Sequence, residues 1–403
     1  MLDGVIKDVG VLGLGVMGFD IAFLYAMRGY RTLAYDASKP VMESLTDRRE
    51  QTIDRLKRRN RISDSDVENI RKCLMAAPEF GSMAEVDLVT EAVSEVEKTK
   101  VAVYQALRET GFSGILTTNT SSLTRAGLLA RGGFARQRFA STHFFNPVLY
   151  TRMVEVVKGD MEPSSFDATL SFLKSLGRSP VETKDISGFV SNSILMYYAV
   201  MALHLLRCGA RIEEVDQTAK KVGLLPPFIS FDSWKPSIVE DVTRVMFEAR
   251  GDSFLRSSKL LSILAQGNPG FYVGQEPNPQ IYNWVDDPGA ALDETSIARA
   301  LKASIHVAAA RVVELGEDPS KVDFISVEGI RMPAPLGEID GLGSSAVLEE
   351  LENIDRLMPG NELTPPRILI AMANENQTFY YKDSHANPWI ASFIERQRSH
   401  ASH

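Results

Sequence analysis

The sequence has 403 residues, 44% hydrophobic and 24% charged, which is typical of a globular protein with more than one hydrophobic core. Its formal charge of −8 argues against general nucleic-acid binding, because duplex-binding proteins usually carry a dominating basic face. Two cysteines, Cys73 and Cys208, are too few for a disulfide framework and fit a reducing compartment. Apolar stretches such as Ile194 to Leu206 contain polar interruptions and look too short to span a bilayer. We therefore expect a soluble cytoplasmic protein that binds neither nucleic acid nor membrane.

The first elements along the chain are a strand, a turn, a helix and a second strand. Val9 to Leu12 is an apolar run that ends in glycines, and Ile21 to Met27 continues with helix formers. Arg31 to Tyr35 is the next strand candidate and is followed by Asp36.

A charged helical segment then interrupts the alternation of strands and helices. From Val41 to about Cys73 the pattern is helical, and the segment Ser63 to Asp66 offers an N-cap for a second helix. This predicts a helical hairpin insertion over about 41–75. Four more short apolar strands follow, separated by helical segments: Val86–Thr90, Gly114–Thr118, Phe139–Thr142 and Met153–Val157. The alternation predicts an α/β Rossmann-type domain with a mostly parallel sheet over residues 1–184.

The remainder of the chain is predicted to be all-α and to contain an internal repeat. Four residues of the first copy recur 107 positions later: Leu206, Gly209, Val215 and Asp216 recur as Val313, Gly316, Val322 and Asp323. Both copies then reach a proline-rich corner, at 225–228 and at 332–335. We therefore predict two similar helical units over 185–275 and 295–382, a linker over 276–294, and a tail over 383–403.

The turn after the first strand carries a dinucleotide-binding motif. Gly13, Gly15 and Gly18 fit the pattern GxGxxG, with Val16 and Met17 at the variable positions before the last glycine. Gly13 permits the tight turn, Gly15 lets the backbone approach a pyrophosphate, and Gly18 lets the helix pack closely on the strand. The positive end of the helix attracts the anion. An ordinary strand-to-helix turn is the alternative interpretation.

Asp36 favours the dinucleotide interpretation and selects the cofactor. It lies 18 residues after Gly18, at the end of the second strand. A carboxylate there would accept hydrogen bonds from the adenosine ribose and repel a 2′-phosphate. The sequence therefore predicts NAD as the cofactor, in preference to NADP, and gives no reason to expect a metal.

Further motifs lie in the order and near the spacing of a known family. They are the segments Asn119–Leu123, His143–Pro147, Met153–Val156 and Gly188–Asn192. On these residues the chain resembles the 3-hydroxyacyl-CoA dehydrogenase family over residues 8 to about 275. Through the second helical unit, to about 382, it looks like the doubled C-terminal region in the dehydrogenase half of multifunctional fatty-acid oxidation proteins, which act in β-oxidation.

The resemblance implies a catalytic group of four residues. Oxidation of a secondary alcohol needs a base for the hydroxyl proton, and the imidazole of His143 is a suitable one. The resemblance assigns Glu155 to orient that imidazole, and Ser121 and Asn192 to hold the substrate oxygen. Singly, each has an ordinary alternative: His143 a strand-end histidine, Glu155 a solvent-facing residue of an edge strand, Ser121 a turn residue and Asn192 a helix cap.

The resemblance also implies residues that contact NAD near its nicotinamide end. Glu95, Lys100, Asn119 and Asn146 match family positions with that role. For Glu95 and Lys100 a solvated helix face is the alternative, because surface charges are common on helices.

A basic segment is the only independent physical indication of a coenzyme A substrate. Arg48 to Arg61 contains seven lysines and arginines, a pattern that usually marks a solvated helix. Thr52, Arg55 and Arg59 fall at i, i+3 and i+7, on one helical face, where they could meet the phosphates of a coenzyme A adenosine. Thr52 and Arg59 match the family's hydroxyl and basic positions for that purpose, and Ser121 would contact the acyl part.

Two departures from the family pattern leave the acyl group open. Ser193 stands where the family has an arginine after the asparagine of the GFxxN motif, and the segment Pro226–Ile229 replaces its usual corner. Both lie around the acyl pocket and domain interface that the resemblance implies.

These observations predict an NAD-dependent oxidoreductase that converts L-3-hydroxyacyl-CoA to 3-ketoacyl-CoA reversibly. Two other hypotheses stay open: a related NAD-dependent dehydrogenase of a small 3-hydroxy acid, and a non-catalytic NAD-binding relative. A second internal copy of the helical unit could cover the surface that single-unit relatives use for dimerisation, so both a monomer and a homodimer remain possible.

Overall fold

The computed structural model describes residues 6–267, 270–285, 292–381 and 385–401. The chain divides into two compact units, Met1–Asp185 and Ile186–His403. The first unit is α/β and the second is mainly helical. The predicted fold class, a Rossmann-type domain followed by an all-α region with a repeat, is confirmed.

The first unit is built on one eight-stranded sheet. Its strands are β1 Asp8–Leu12, β2 Arg31–Tyr35, β3 Leu74–Ala76, β4 Leu88–Glu91, β5 Ile115–Thr118, β6 Phe139–Phe144, β7 Met153–Val157 and β8 Ser179–Glu182. Their spatial order is β3-β2-β1-β4-β5-β6-β7-β8, and every neighbouring pair is parallel except β6 with β7. The strand order reverses between β1 and β4, and ligands of such sheets bind at the carboxyl ends of the strands beside this point.

Helices cover both faces of this sheet. They are α1 Val16–Met27, α2 Lys39–Glu43, α3 Leu45–Arg58, α4 Asp64–Cys73, α5 Glu97–Glu109, α6 Arg125–Gly132 and α7 Pro163–Ser175. Successive strand residues point to opposite faces, so Val11 belongs to the hydrophobic cluster with α1 and α7, while Leu12 belongs to the cluster with α5 and α6. Eight of the twelve residues of α1 are buried, which makes it the central helix of its face.

The predicted helical hairpin is formed by α3 and α4. Ser63 caps α4 as expected: its hydroxyl accepts a hydrogen bond from the Asp66 backbone N–H, and the Asp66 carboxylate accepts one from the Ser63 N–H. Two strands, β3 and β8, were not predicted. Each has only three or four residues and lies at an edge of the sheet, so its sequence shows little hydrophobic alternation.

Among the residues described, the second unit contains eleven α-helices and two short hairpins. The helices are α8 Phe189–Arg207, α9 Ile212–Lys221, α10 Pro227–Trp234, α11 Pro236–Arg250, α12 Lys259–Ala265, α13 Glu294–Glu314, α14 Pro319–Phe324, α15 Pro335–Leu342, α16 Ser344–Leu357, α17 Arg367–Glu375 and α18 Pro388–Ala401. The hairpins pair β9 Tyr272–Val273 with β10 Glu276–Pro277, and β11 Tyr380–Tyr381 with β12 His385–Ala386.

A carboxylate junction holds the proline corner of the first helical copy. Asp216 on α9 accepts hydrogen bonds from the backbone N–H of Phe228 at 2.8 Å and of Ile229 at 3.2 Å. The Tyr272 hydroxyl donates a third, at 2.9 Å. This one buried side chain therefore ties α9, the start of α10 and β9 together.

The second helical copy repeats this junction. Asp323 on α14 accepts hydrogen bonds from the backbone N–H of Leu336 at 2.9 Å and of Gly337 at 3.0 Å, and from the Tyr380 hydroxyl at 2.8 Å. Asp216 and Asp323 are one of the residue pairs that the sequence relates at an offset of 107. In both copies the aspartate accepts hydrogen bonds from two consecutive backbone N–H groups and from a tyrosine hydroxyl. The two helical units are therefore copies in structure as well as in sequence. Their long first helices, α8 and α13, pack against each other.

Each copy continues beyond the boundary that the sequence suggests. Part of the expected linker is ordered, since β10 pairs with β9 and residues 279–283 form a 3₁₀ helix; residues 286–291 lie outside those described. The expected tail includes β12 and α18, and Ile390 and Phe393 of α18 are buried. The hydrophobic side chains of α18 fall between polar ones, so the sequence predicts a tail where the structure has a helix.

The apolar helix α8 requires a correction to the expectation about membrane spans. With 19 residues it is long and apolar enough to cross a bilayer by length and composition, contrary to the expectation that this stretch is too short. In the most apolar 18-residue stretch of this helix, 83% is buried inside the structure, as in the core helix of a globular unit.

Candidate active site

The glycine turn after β1 is shaped to receive a dinucleotide. Gly13 has a φ of 87°, a conformation that favours glycine, and a Cβ on Gly18 would lie 1.8 Å from the Gly13 carbonyl oxygen. A Cβ on Gly15 would meet no heavy atom within 4 Å, so the space beside the N-terminus of α1 is open. Val16 and Met17 form the first turn of this helix, and Val16 is exposed. These residues fit the pyrophosphate of NAD, which the positive end of α1 would attract.

Asp36 lies where the sequence predicts, immediately after β2. Its carboxylate accepts hydrogen bonds from the backbone N–H of Leu14 at 2.7 Å and of Ser38 at 2.8 Å. The carboxylate is thus fixed against the glycine turn, and each oxygen keeps a further acceptor position for a ribose hydroxyl.

Arg48 braces the same turn, a role that the sequence analysis did not assign. Its guanidinium donates to the Leu14 carbonyl at 2.7 Å and to the Gly15 carbonyl at 3.3 Å, and it lies 4.2 Å from the ring centroid of Phe19. The sequence does not indicate this role, because Arg48 is one of several arginines in the basic segment and the residues it contacts are distant in the chain.

His143 and Glu155 form a buried pair. They are direct partners in the antiparallel register of β6 and β7, and His143 Nδ1 lies 3.0 Å from Glu155 Oε2. His143 is 7% exposed and Glu155 is fully buried, on a strand flanked by β8. The alternative of a solvent-facing Glu155 on an edge strand is therefore wrong. When Nδ1–H donates to the carboxylate, Nε2 carries the lone pair that a general base needs.

Asn119 connects the end of β5 with the strand that carries His143. Its side-chain oxygen accepts a hydrogen bond from the Phe144 backbone N–H at 2.9 Å. Ser121 follows two residues later and is half-buried, and its backbone N–H donates to Glu95 Oε1 at 2.8 Å. The segment after β5 is thus tied both to the histidine strand and to Glu95.

Glu95 organises that segment from the other side. Besides Ser121 N–H, its Oε1 accepts hydrogen bonds from the Thr120 hydroxyl at 2.5 Å and the Ser122 hydroxyl at 2.9 Å. Burial raises the pKa of Glu95, but the ammonium of Lys100 and these hydrogen bonds outweigh burial and hold that pKa below its usual range.

Lys100 is fully buried and lies between two carboxylates. Its Nζ is 2.8 Å from Glu91 Oε1 and 3.3 Å from Glu95 Oε2. The hypothesis of a solvated helix face is therefore wrong for Lys100. Burial lowers the pKa of Lys100, but the charges of Glu91 and Glu95 outweigh burial and raise it above its ordinary value.

Glu91, at the end of β4, completes this buried network and was missed by the sequence analysis. Its Oε2 accepts hydrogen bonds from the Tyr104 hydroxyl at 2.7 Å and the Thr118 hydroxyl at 2.8 Å, and its Oε1 accepts one from the Val93 N–H at 2.8 Å. A glutamate at the end of an apolar strand, nine residues before a lysine, is the only signal in the sequence.

The residues expected to meet coenzyme A differ in accessibility. Thr52 on α3 is 7% exposed, whereas Arg55 and Arg59 are exposed, and Arg59 is the C-cap residue directly after the helix. Their roles stay predictions.

The two remaining site residues lie apart in the chain. Asn146 is exposed in the turn after β6. Asn192 lies in the first turn of α8, in the second unit. The neighbouring Ser193 is buried, and its hydroxyl accepts a hydrogen bond from the Arg250 guanidinium at 2.6 Å. A guanidinium from α11 therefore reaches the position at which the family motif has its own arginine.

Two family models match this chain. The family model described as "3-hydroxyacyl-CoA dehydrogenase, NAD binding domain" matches residues 8–186, and that described as "3-hydroxyacyl-CoA dehydrogenase, C-terminal domain" matches residues 188–274. Mitochondrial hydroxyacyl-coenzyme A dehydrogenase of Mus musculus is 32% identical over 235 residues, which are 56% of this chain and 74% of that protein.

Two relatives match nearly the whole chain. Fatty acid oxidation complex subunit alpha of Shewanella frigidimarina is 27% identical over 401 residues, which are 94% of this chain and 56% of that protein. The crystal structure of 3-hydroxybutyryl-CoA dehydrogenase from Escherichia coli K12 superposes with a TM-score of 0.76 at 21% identity and covers 92% of this chain and 98% of its own, which shows a common fold. The chain therefore belongs to the 3-hydroxyacyl-CoA dehydrogenase family and is an NAD-dependent oxidoreductase.

Proposed function

We propose that this enzyme oxidises L-3-hydroxyacyl-CoA to 3-ketoacyl-CoA, reversibly, with His143 as the general base. The observation that carries the proposal is the buried pair of His143 and Glu155, with Nδ1 and Oε2 3.0 Å apart. A buried carboxylate on one nitrogen fixes the tautomer and stabilises the imidazolium that forms when the other nitrogen takes a proton.

The reaction places separate demands on the remaining groups. His143 Nε2 takes the proton of the 3-hydroxyl group, and Ser121 and Asn192 donate hydrogen bonds to the oxygen as it becomes a ketone. Bound NAD supplies the acceptor for the hydride that leaves C3. Asn119 holds the strand of His143 in place through Phe144 N–H, and Glu95 holds Ser121 through its backbone.

The cofactor would lie along the carboxyl edge of the sheet. Residues Gly13 to Gly18 would receive the pyrophosphate and Asp36 the adenosine ribose. Glu95, Lys100, Asn119 and Asn146 would lie toward the nicotinamide. Of these four, Lys100 is fully buried, so we expect it to act by fixing Glu95 rather than by touching the cofactor.

Arg55 and Arg59 support the proposal that the substrate carries coenzyme A. Both are exposed cations of the helical hairpin, and guanidinium groups suit the phosphates of an adenosine nucleotide. Replacing both by glutamine should raise KM for acyl-CoA substrates and leave kcat unchanged. Arg58→Gln, which removes an exposed arginine on the same helix, is the matched control.

A substrate panel tests the proposal directly. NADH formation is measured with L-3-hydroxybutyryl-CoA, with medium-chain 3-hydroxyacyl-CoA and with the corresponding free acids. Turnover of the thioesters supports the proposal and ranks the acyl groups by kcat/KM. Turnover of the free acids alone would instead favour a dehydrogenase of small hydroxy acids. NAD binding without any turnover would favour a non-catalytic relative.

A further inference from the structure

A cavity in the first unit is lined by none of the residues assigned to NAD, the base or coenzyme A. Its volume is about 410 Å³, and four arginines line it: Arg28, Arg61, Arg152 and Arg178. None of the described residues that line it is acidic. The arginines come from four separate places in the chain, so their convergence is a product of the fold.

The four guanidinium groups form no ion pair with any carboxylate among the residues described. By contrast, Arg125 and Arg131 of the same unit pair with Asp160 and Glu97. Like charges that converge without counter-charges repel one another, which destabilises the empty site and favours an anion in it.

Arg178 forms the buried base of the cavity. It is 8% exposed, and its Nη1 donates to the carbonyl oxygens of Val148, at 3.2 Å, and Thr151. Its Nε is buried and has no hydrogen-bond partner among the residues described. Burial lowers the pKa of Arg178 to about 10, with a further contribution from the charges of Arg28 and Arg152. A buried donor without a partner is costly, and an anion would relieve that cost.

The other walls indicate what else the ligand carries. Apolar side chains, Leu56 and Ile62 among them, line the cavity together with the half-exposed ring of Tyr150. The Arg61 guanidinium lies 5.8 Å from the centroid of that ring. The volume exceeds that of one phosphate group, so space remains for an apolar or aromatic group beside the anion.

We propose that this arginine cavity binds a phosphate monoester with an apolar or aromatic substituent. Guanidinium groups present paired donors that match the oxygens of a phosphate dianion, and a rim of exposed arginines with one buried at the base surrounds such a group from several sides. Neither the glycine turn nor Thr52, Arg55 or Arg59 lines the cavity. The site therefore stands apart from the proposed chemistry and does not rest on it.

Calorimetric titration with phenyl phosphate, inorganic phosphate and phenol tests this site, with saturating NAD present to occupy the glycine turn. Phenyl phosphate should bind more tightly than inorganic phosphate, and phenol should not bind. Arg28→Gln and Arg152→Gln alter exposed side chains and should each weaken phenyl phosphate binding about tenfold, the loss of one charged contact. Arg58→Gln should leave it unchanged.

Arg178→Gln should abolish binding. Because Arg178 also holds two backbone carbonyls, circular dichroism must first show that the variant folds, and the two exposed variants carry the test if it does not. The absence of phenyl phosphate binding at millimolar concentration would overturn the proposal. So would equal binding by wild type, Arg28→Gln and Arg152→Gln, or loss of binding in Arg59→Gln together with displacement by acyl-CoA, which would assign the anion to the coenzyme A site. Since binding is read and not turnover, failure here leaves the proposed function untouched.

Discussion

His143 and Glu155 face each other as direct partners across β6 and β7, and their side chains meet within a buried part of the sheet. Glu155→Gln keeps the shape of the side chain but removes the charge that stabilises an imidazolium. We expect kcat to fall by about 10²- to 10⁴-fold while NAD binding stays unchanged. Glu162→Gln alters an exposed carboxylate of the same unit and serves as control. Steady-state kinetics and NAD titration measure both effects, and a variant with wild-type kcat would exclude this role for Glu155.

The glycine turn allows stability to be separated from cofactor binding. Gly15→Ala adds a methyl group to open space and should leave the melting temperature unchanged, while NAD affinity falls at least about tenfold because the methyl group takes the place of the pyrophosphate. Gly18→Ala places a Cβ against the Gly13 carbonyl and should lower stability itself. Thermal melting and NAD titration of both variants check this. Unaltered NAD affinity in Gly15→Ala would show that the pyrophosphate lies elsewhere.

The buried lysine predicts strong coupling between charges. Lys100→Met leaves Glu91 and Glu95 without their shared cation, and we expect a loss of about 3–5 kcal/mol in the free energy of unfolding. Lys98→Met, at an exposed position of the same helix, should change it by less than about 0.5 kcal/mol. The double variant Lys100→Met, Glu91→Gln should recover part of the loss, and strictly additive effects in urea denaturation would contradict the coupling.

Because of the buried His204 in α8, we expect the free energy of unfolding to decrease in mild acid. Burial lowers the pKa of His204 from 6.5 to about 4, with a contribution from the charge of Arg207. The unfolded chain then binds the proton at higher pH than the folded chain does. The contribution of the neutral imidazole is therefore fully present above about pH 6.5 and is lost as the pH falls toward 4, by about 3 kcal/mol.

The variant His204→Phe keeps a ring next to Phe254, which the imidazole stacks on. The unfolding free energy of the wild type minus that of the variant, measured by urea denaturation from pH 7.5 to 4.5, should decrease as the pH falls. Acid-sensitive groups elsewhere, such as Glu95, are present in both proteins and cancel in this difference. A difference independent of pH would rule out the titration of His204.

Local signals predicted the parts of the fold that are stabilised locally. The glycine turn, Asp36 at the end of β2 and the Ser63 cap all depend on neighbouring residues, and each lies where the sequence indicates. The short edge strands β3 and β8 form through backbone pairing with distant strands, which leaves little trace in their own side chains. The helix α18 has a different cause: its buried side chains Ile390 and Phe393 fall between polar ones, so the sequence predicted a tail there.

For the candidate site, the motifs identified the pair of His143 and Glu155, but not what surrounds it. Glu91 has no motif, because its partners Lys100, Tyr104 and Thr118 lie nine to 27 residues away and only the sheet brings them together. Arg178 likewise has no motif, because only the fold shows that no carboxylate stands beside it among the described residues that line the cavity.

The packing of α8 against α13 connects the two similar helical units within a single polypeptide. Two separate subunits with the same contact would part when diluted below their dissociation constant. Here the linking chain keeps the copies at an effective concentration on the order of millimolar, whatever the protein concentration. We therefore expect this helix pair to persist at nanomolar dilution, and its loss to require unfolding rather than dissociation.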